Sequence, residues 1–364
     1  MPMNVNILDT YYMAGLWEGL SPVPTFFRDR YFPTAAQDIF AANKVLVEYR
    51  DGDNAMAPFM VIDADPINVN RGGYEIHEYE PVCIKQSRDL TADQLKLRGF
   101  GEAILSHSTE EERAAKLVSE DLDLLERRFS RTEEYLCSQV MINNGFTILE
   151  HLDEHNTRTA KLQYYDPENG NDGAYTITQW DSSTTFADVC ADIEAMCDSL
   201  SERGLPAVDL VIGRRVRDFL LNMTEFRDLL NKQSGIIIAE GGVRQTLSKY
   251  QGVTFMGTIN FNGYELNVIV SNEKYKTKSG ESVISTNYFP ETSMMVTAPA
   301  AGHLMYAHIV HMNEDGDIET ITGKRVPDLF VDRKKKKREI ILESRPLAAP
   351  QNYSPWVYAA GVVA

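Results

Sequence analysis

Apolar residues recur at three- and four-residue spacing most clearly between Ser108 and Asn143, where Val118, Leu122, Leu125, Phe129, Leu136 and Val140 form one stripe. The spacing predicts a single long helix. Ser108 with Glu111 and Thr109 with Glu112 each match the Ser/Thr-x-x-Glu capping box, and Asn143, Asn144 and Gly145 supply a left-handed stop. Glu112 with Lys116 and Asp123 with Arg127 are four-apart pairs suited to a solvated side. At 1.5 Å per residue the rod is about 50 Å long, enough to brace a flat domain. Thr132 breaks the stripe and the spacing never settles into heptads, so a coiled coil is the weaker reading.

Ahead of the rod, Leu8, Tyr12, Leu16 and Leu20 share one face of a short amphipathic segment. Pro22, Pro24 and Pro33 then predict an extended arm unable to join a central strand. The arm carries Phe26, Phe27, Tyr31 and Phe32, with Arg28, Asp29 and Arg30 alternating in sign between them. It cannot bury so many rings alone, so either a neighbouring molecule or its own domain must cover them. Residues 44–88 alternate apolar and polar positions with turn residues between. The pattern predicts a long ribbon of two or three strands with a polar tip at Asn68, Asn70 and Arg71. Such a ribbon is only marginally stable in water and is expected to lie on a neighbouring surface. Residues 89–107 read as a short helix and loop.

Beyond the rod, Phe146 to Tyr165 resembles a strand pair, and the turn-rich Asp166 to Gly173 marks a boundary. Thr185 can cap a helix carrying Phe186, Cys190, Ile193, Cys197 and Leu200, which Gly204 and Pro206 end. A short strand to Ile212 and a helix with Val216, Phe219, Leu220, Met223 and Leu230 follow. Asn262-Gly263 between two alternating runs is a strong hairpin signal over Val253 to Val270. From Thr297 strands dominate again, ending in a hairpin between Lys324 and Pro350. These late strands are expected to return to the sheet beside the long helix, which makes the middle domain an insertion.

The chain has 364 residues, of which 43% are hydrophobic, enough for two or three domains with real cores. A net charge of −17 argues against nucleic-acid binding by general attraction. No apolar run reaches the roughly 18 residues of a membrane span, and Asp9 and Glu18 interrupt the N-terminal apolar stretch, so neither a span nor a secretory signal is expected. Cys83, Cys137, Cys190 and Cys197 lack zinc or redox spacing and read as reduced core residues. His303, His308 and His311 invite a metal reading, yet His308 points away from the other two on a strand. No nucleotide-binding, hydrolase, zincin or kinase signature occurs, so no catalytic, cofactor or metal residues are assigned and an enzyme is not expected. The run Arg333, Lys334, Lys335, Lys336, Lys337 and Arg338 is the one concentrated positive charge. It suits a solvated turn or an acidic neighbour better than DNA.

Three segments carry a family resemblance: SPVPTFFRDRYFP from Ser21, YFPETSMMVTAPAAGHLMYAHI from Tyr288, and ESRPLAAPQNYSPWVYAAGVV at the end. With VDLVIGRRVRDFLLN from Val208, they closely resemble the lambda-type major capsid proteins of tailed bacteriophages, the capsid protein E family. The resemblance runs through the whole chain in order. It implies an α+β fold of the Hong Kong 97 capsid type: an N-arm at 1–43, an extended E-loop hairpin at 44–90, and a peripheral domain at 91–175 whose spine helix is 108–143. An inserted axial domain at 176–290 and a return to the peripheral domain at 291–364 complete it. It further implies hexamers and pentamers closing into an icosahedral shell, assembled in the host bacterial cytoplasm and expanding on maturation. Expected partners are other copies, a portal, a decoration protein and double-stranded DNA bound without sequence specificity; whether a scaffold takes part stays open. Phe26 to Phe32, with Asn68, Asn70 and Arg71, are the expected contacts to neighbours or decoration protein. Between Lys44 and Lys85 there is no lysine, so the covalent E-loop link of some such shells is not expected here. A cellular encapsulin-like compartment is the alternative with the same fold.

Overall fold

The computed structural model describes residues 24–49, 75–91, 110–151, 157–164, 174–228, 250, 252–279, 282–312, 318–332 and 337–363. Among the described residues the main helices are α1, Phe26–Tyr31; α2, Glu110–Asn143; α3, Phe186–Glu202; and α4, Arg214–Asn222, which stops at an extended Met223 where the sequence predicts one helix continuing toward Leu230. The rod predicted from the apolar stripe is α2, 34 residues long, and Asn144 follows it in the left-handed region at φ 57°. Its capping residues Ser108 and Thr109 lie outside the described residues. On its solvated side Arg127 pairs with Asp123 at 3.0 Å, while Lys116 turns to Glu120 at 3.8 Å.

The middle of the chain folds as a six-stranded mixed sheet. Its order is Ala174–Tyr175, Trp356–Ala359, Met294–Thr297, Asp209–Ile212, Tyr264–Ser271, Val253–Phe261. Helices α3 and α4 pack on it through Ile193, Met196, Leu200, Val216 and Leu220 against Leu210, Ile212, Val268 and Val296. Thr185 caps α3, as its sequence predicts, and Asp188 completes a reciprocal capping box. Asn262 and Gly263 turn the hairpin with φ 49° and 109°, the paired positive values that a two-residue primed turn requires. The strands Met294–Thr297 and Trp356–Ala359, from beyond residue 290, sit inside this sheet.

A second body surrounds α2. The sheet Val326–Asp332, Lys337–Ser344, Ile84–Thr91 lies against it, with Leu342 and Ile84 meeting Leu125 and Phe129. A late strand thus returns to the rod. Residues 89–91 extend this sheet, where a helix was expected from the sequence. Another sheet, Ile39–Phe40, Gly302–Ala307, Pro346–Pro350, joins Leu136, Val140 and Phe146 in a second large core. Four ribbons pair only with themselves among the described residues: Val45–Tyr49 with Glu75–Tyr79, Gly145–His151 with Thr157–Gln163, Lys274–Ser279 with Ser282–Asn287, and Ile309–Met312 with Ile318–Ile321.

Two further expectations need correction. The segment after Pro24 is not extended: Phe26–Tyr31 is a helix, which Pro33 terminates because the residue before a proline is pushed out of helical geometry. The second concerns cysteine, since Cys83 is exposed while Cys137, Cys190 and Cys197 are buried, all four free.

Candidate functional site

The apolar stripe of α2 contains a polar interruption that its periodicity conceals. Glu126 and Glu133 are seven residues apart, close to the line of Leu122, Phe129 and Leu136, and Glu134 is next to them. All three are buried, as are Ser130 and Ser138. Buried carboxylates must be compensated or neutralised. Here most of the compensation comes from α1 and from Arg325, a residue nearly two hundred positions further along the chain.

Both oxygens of Glu134 accept backbone hydrogen bonds at the start of α1, from Phe27 N at 2.7 Å and Arg28 N at 2.8 Å. A helix start exposes unpaired amides, so a carboxylate there satisfies both partners. Arg28 donates to Glu133 at 3.2 Å. Arg325 is the hub: it reaches Glu133 at 2.6 and 2.9 Å and Glu126 at 2.8 Å, and its guanidinium carbon lies 5.3 Å from the centre of the Phe129 ring. Tyr306 donates to Glu133 at 2.9 Å. Burial opposes ionisation of Glu133, yet Arg325, Arg28 and Tyr306 together hold its carboxyl below the ordinary range. Glu134 shifts the other way, to about 8, because burial and the nearby Glu273 outweigh the two amides.

The far side of α1 grips the six-stranded sheet. Arg30 forks onto Asp209 at 2.6 and 2.7 Å, and Tyr31 and Asn267 donate to the same carboxylate at 3.2 and 3.0 Å. Asp209 opens a central strand and is fully buried. Around this polar frame the rings of Phe26, Phe27, Tyr31 and Phe32 are at most 1% exposed. Phe27 stacks on Phe289 at 6.1 Å, Phe32 leans on Trp356 at 6.0 Å, and Phe26 meets Tyr250 edge-on at 5.8 Å. The rings expected to need a neighbour are covered by the chain itself. Helix α1 is a rivet joining the rod to the sheet, and its rings are buried within the chain.

The remaining sequence candidates are scattered. Asn68, Asn70, Arg71 and Arg333 to Lys336 lie outside the described residues. Lys337 is held at 2.8 Å by Asp89 and 2.6 Å by Glu339, while Arg338 is exposed. His303 lies 3.6 Å from Asp38 and His311 the same distance from Asp328. Among the described residues no group of three or more metal-ligating side chains gathers, and no helix is long and apolar enough to cross a membrane. Sequence reasoning passed over Glu126, Glu133, Glu134, Asp209, Tyr306 and Arg325. Only the placement of two glutamates along an apolar stripe could have signalled them.

Nothing in this arrangement resembles a substrate pocket; its polar groups are spent on one another. The family model for phage major capsid protein E matches residues 9–360. The chain belongs to that family. It is a structural, shell-forming protein of the phage virion, as its sequence resemblance implied. The fold agrees: a prophage protein of Escherichia coli CFT073, described as a candidate capsid protein, superposes with a TM-score of 0.61 at 14% identity, over 97% of this chain and 98% of that one. A phage-related protein of Bordetella bronchiseptica RB50 does so at 0.53 and 10% identity, over 99% of each chain. No curated protein sequence matches the chain.

Proposed function

We propose that copies of this chain close as hexamers and pentamers into the icosahedral head of a tailed bacteriophage, around double-stranded DNA held without sequence-specific contacts. One observation carries the reading. The ribbons that pair only with themselves leave Leu149, Val283, Ile284, Val310 and Ile318 between 47% and 70% exposed. Apolar side chains on free-standing strand pairs are what a neighbouring subunit would cover, since exposed edges left open invite indiscriminate pairing.

On this reading residues 44–90 act as the E-loop, with Asn68, Asn70 and Arg71 reaching a neighbour or a decoration protein. Residues 1–43 serve as the N-arm, 91–175 and 291–364 as the peripheral domain with α2 as its spine, and 176–290 as the axial domain. The strands Met294–Thr297 and Trp356–Ala359 stitch the two domains. The absence of lysine between Lys44 and Lys85 favours non-covalent reinforcement after expansion, by a small decoration protein. The run Arg333 to Arg338 meets an acidic neighbour. Neutralising it should impair assembly and leave genome retention per assembled shell unchanged. The deciding experiment is electron microscopy of the purified chain, alone and with candidate decoration and portal proteins. Closed shells are expected; a preparation that stays monomeric at high concentration overturns the proposal.

A further inference from the structure

The ribbon Lys274–Ser279 with Ser282–Asn287 carries, besides the run Arg333–Arg338, a second concentration of positive charge in this acidic chain. Its register pairs Lys274 with Asn287, Lys276 with Ser285 and Lys278 with Val283, so these six positions share one face. That face has three lysine positions and no carboxylate. Lys274 and Lys276 are exposed, and no ion-pair partner is found for either among the described residues. Val283 on the same face is 60% exposed. The opposite face anchors the base of the ribbon through Tyr275, whose ring lies 5.2 Å from that of Tyr135 and 5.0 Å from that of Tyr288.

Helix α3 carries the complement. It contains Asp188, Asp192, Glu194, Asp198 and Glu202 and no lysine or arginine. Glu194 and Asp198 take neutral donors, Asn262 Nδ2 at 2.7 Å and the Tyr264 hydroxyl at 2.6 Å, so their charge is hydrogen-bonded without being cancelled. Those donors sit at the start of the strand Tyr264–Ser271, whereas the lysine ribbon leaves from its end. Eight residues of strand separate them by about 27 Å. The two patches are therefore held apart within one molecule.

We propose that the lysine face of this ribbon docks on the acidic face of α3, at Glu194 and Asp198, of a second copy of this chain. A basic patch at one end of a domain and an acidic patch at the other make a head-to-tail contact, the kind that closes into rings. The exposed Val283 beside the lysines suits a protein surface, whereas a phosphate backbone would leave it in water. Charge complementarity here sets partner choice and orientation, with like-charge juxtaposition strongly penalised. The inference deepens the shell reading and rests on it for the identity of the neighbour.

The test uses the full chain. Lys274→Glu with Lys276→Glu should raise the protein concentration needed for assembly at least tenfold, read by sedimentation and electron microscopy, with an unchanged thermal melt. Adding Glu194→Lys with Asp198→Lys should restore it. Normal assembly by the first variant, or no recovery in the second, overturns the contact. Should the reversals fail to fold, Lys276→Cys mixed with Asp198→Cys provides the readout: an intermolecular disulfide on mild oxidation supports the contact, and none overturns it. Unimpaired assembly with loss of binding to double-stranded DNA would make the ribbon a nucleic-acid contact instead. A wild-type chain that forms no shells, while the Lys276→Cys and Asp198→Cys variants still cross-link, would sink the shell reading and leave the contact standing.

Discussion

Arg325 shows how much one residue can hold. Its side chain is 2% exposed and serves two carboxylates at once. Replacing it with alanine leaves Glu133 and Glu126 buried without their closest cation, and should cost about 3–5 kcal/mol in denaturant unfolding. Changing the whole frame to apolar residues should cost far less, because the loss comes from stranded charge. Glu134 and Glu273, pushed up to about 8 and about 7 by burial, give the opposite pH sign to Glu133. The folded state keeps protons on this pair that the unfolded chain releases above about pH 4.5, so their contribution is complete below that pH and is lost as pH rises through 7 to 8. Arg131, near Glu273, offsets part of the effect. Glu133 is held low, and its contribution disappears in acid. Thermal melts should therefore decline between pH 5.5 and 8.5, and Glu134→Gln with Glu273→Gln should flatten that slope even while lowering the absolute melting temperature. A slope unchanged by the double variant would refute this assignment.

At the scale of elements, α1 is fixed by close packing as much as by charge. A Cβ on Gly302 would stand 2.4 Å from the Phe32 ring and 2.7 Å from the carbonyl of Ala349. Gly302→Ala must displace α1 or the strand beneath it, and a loss of about 1–3 kcal/mol is expected in equilibrium unfolding. Phe32→Leu should recover part of that loss, since it relieves the ring but not the carbonyl. Most elements were legible in the sequence because local chemistry dictates them: the capping box of α3, the Asn-Gly turn, the left-handed stop of α2. Helix α1 was not. Its prolines signal extension, while its helicity depends on Glu134, over a hundred residues away, satisfying the amides at its start.

For the whole molecule, the frame ties rod, rivet and sheet together, and the ribbons stand outside it. On the shell reading proposed above, the exposed apolar side chains of those ribbons are what a neighbouring copy would cover. Assembled shells boiled in detergent under reducing conditions should run as single chains, because no lysine lies between Lys44 and Lys85 to form a cross-link. A ladder of multiples on the gel would contradict non-covalent reinforcement.

The sequence by itself determined the family, the rod, the capped helix α3, the Asn-Gly hairpin and the acidic balance of charge, because each depends on neighbours in the chain or on composition. Tertiary structure alone decided which charges are buried and what the arm's rings pack on. Glu133 looks like any solvent-facing glutamate until Arg28 and Arg325 arrive from distant parts of the chain, since compensation of a buried charge is a property of space and leaves no period in the sequence.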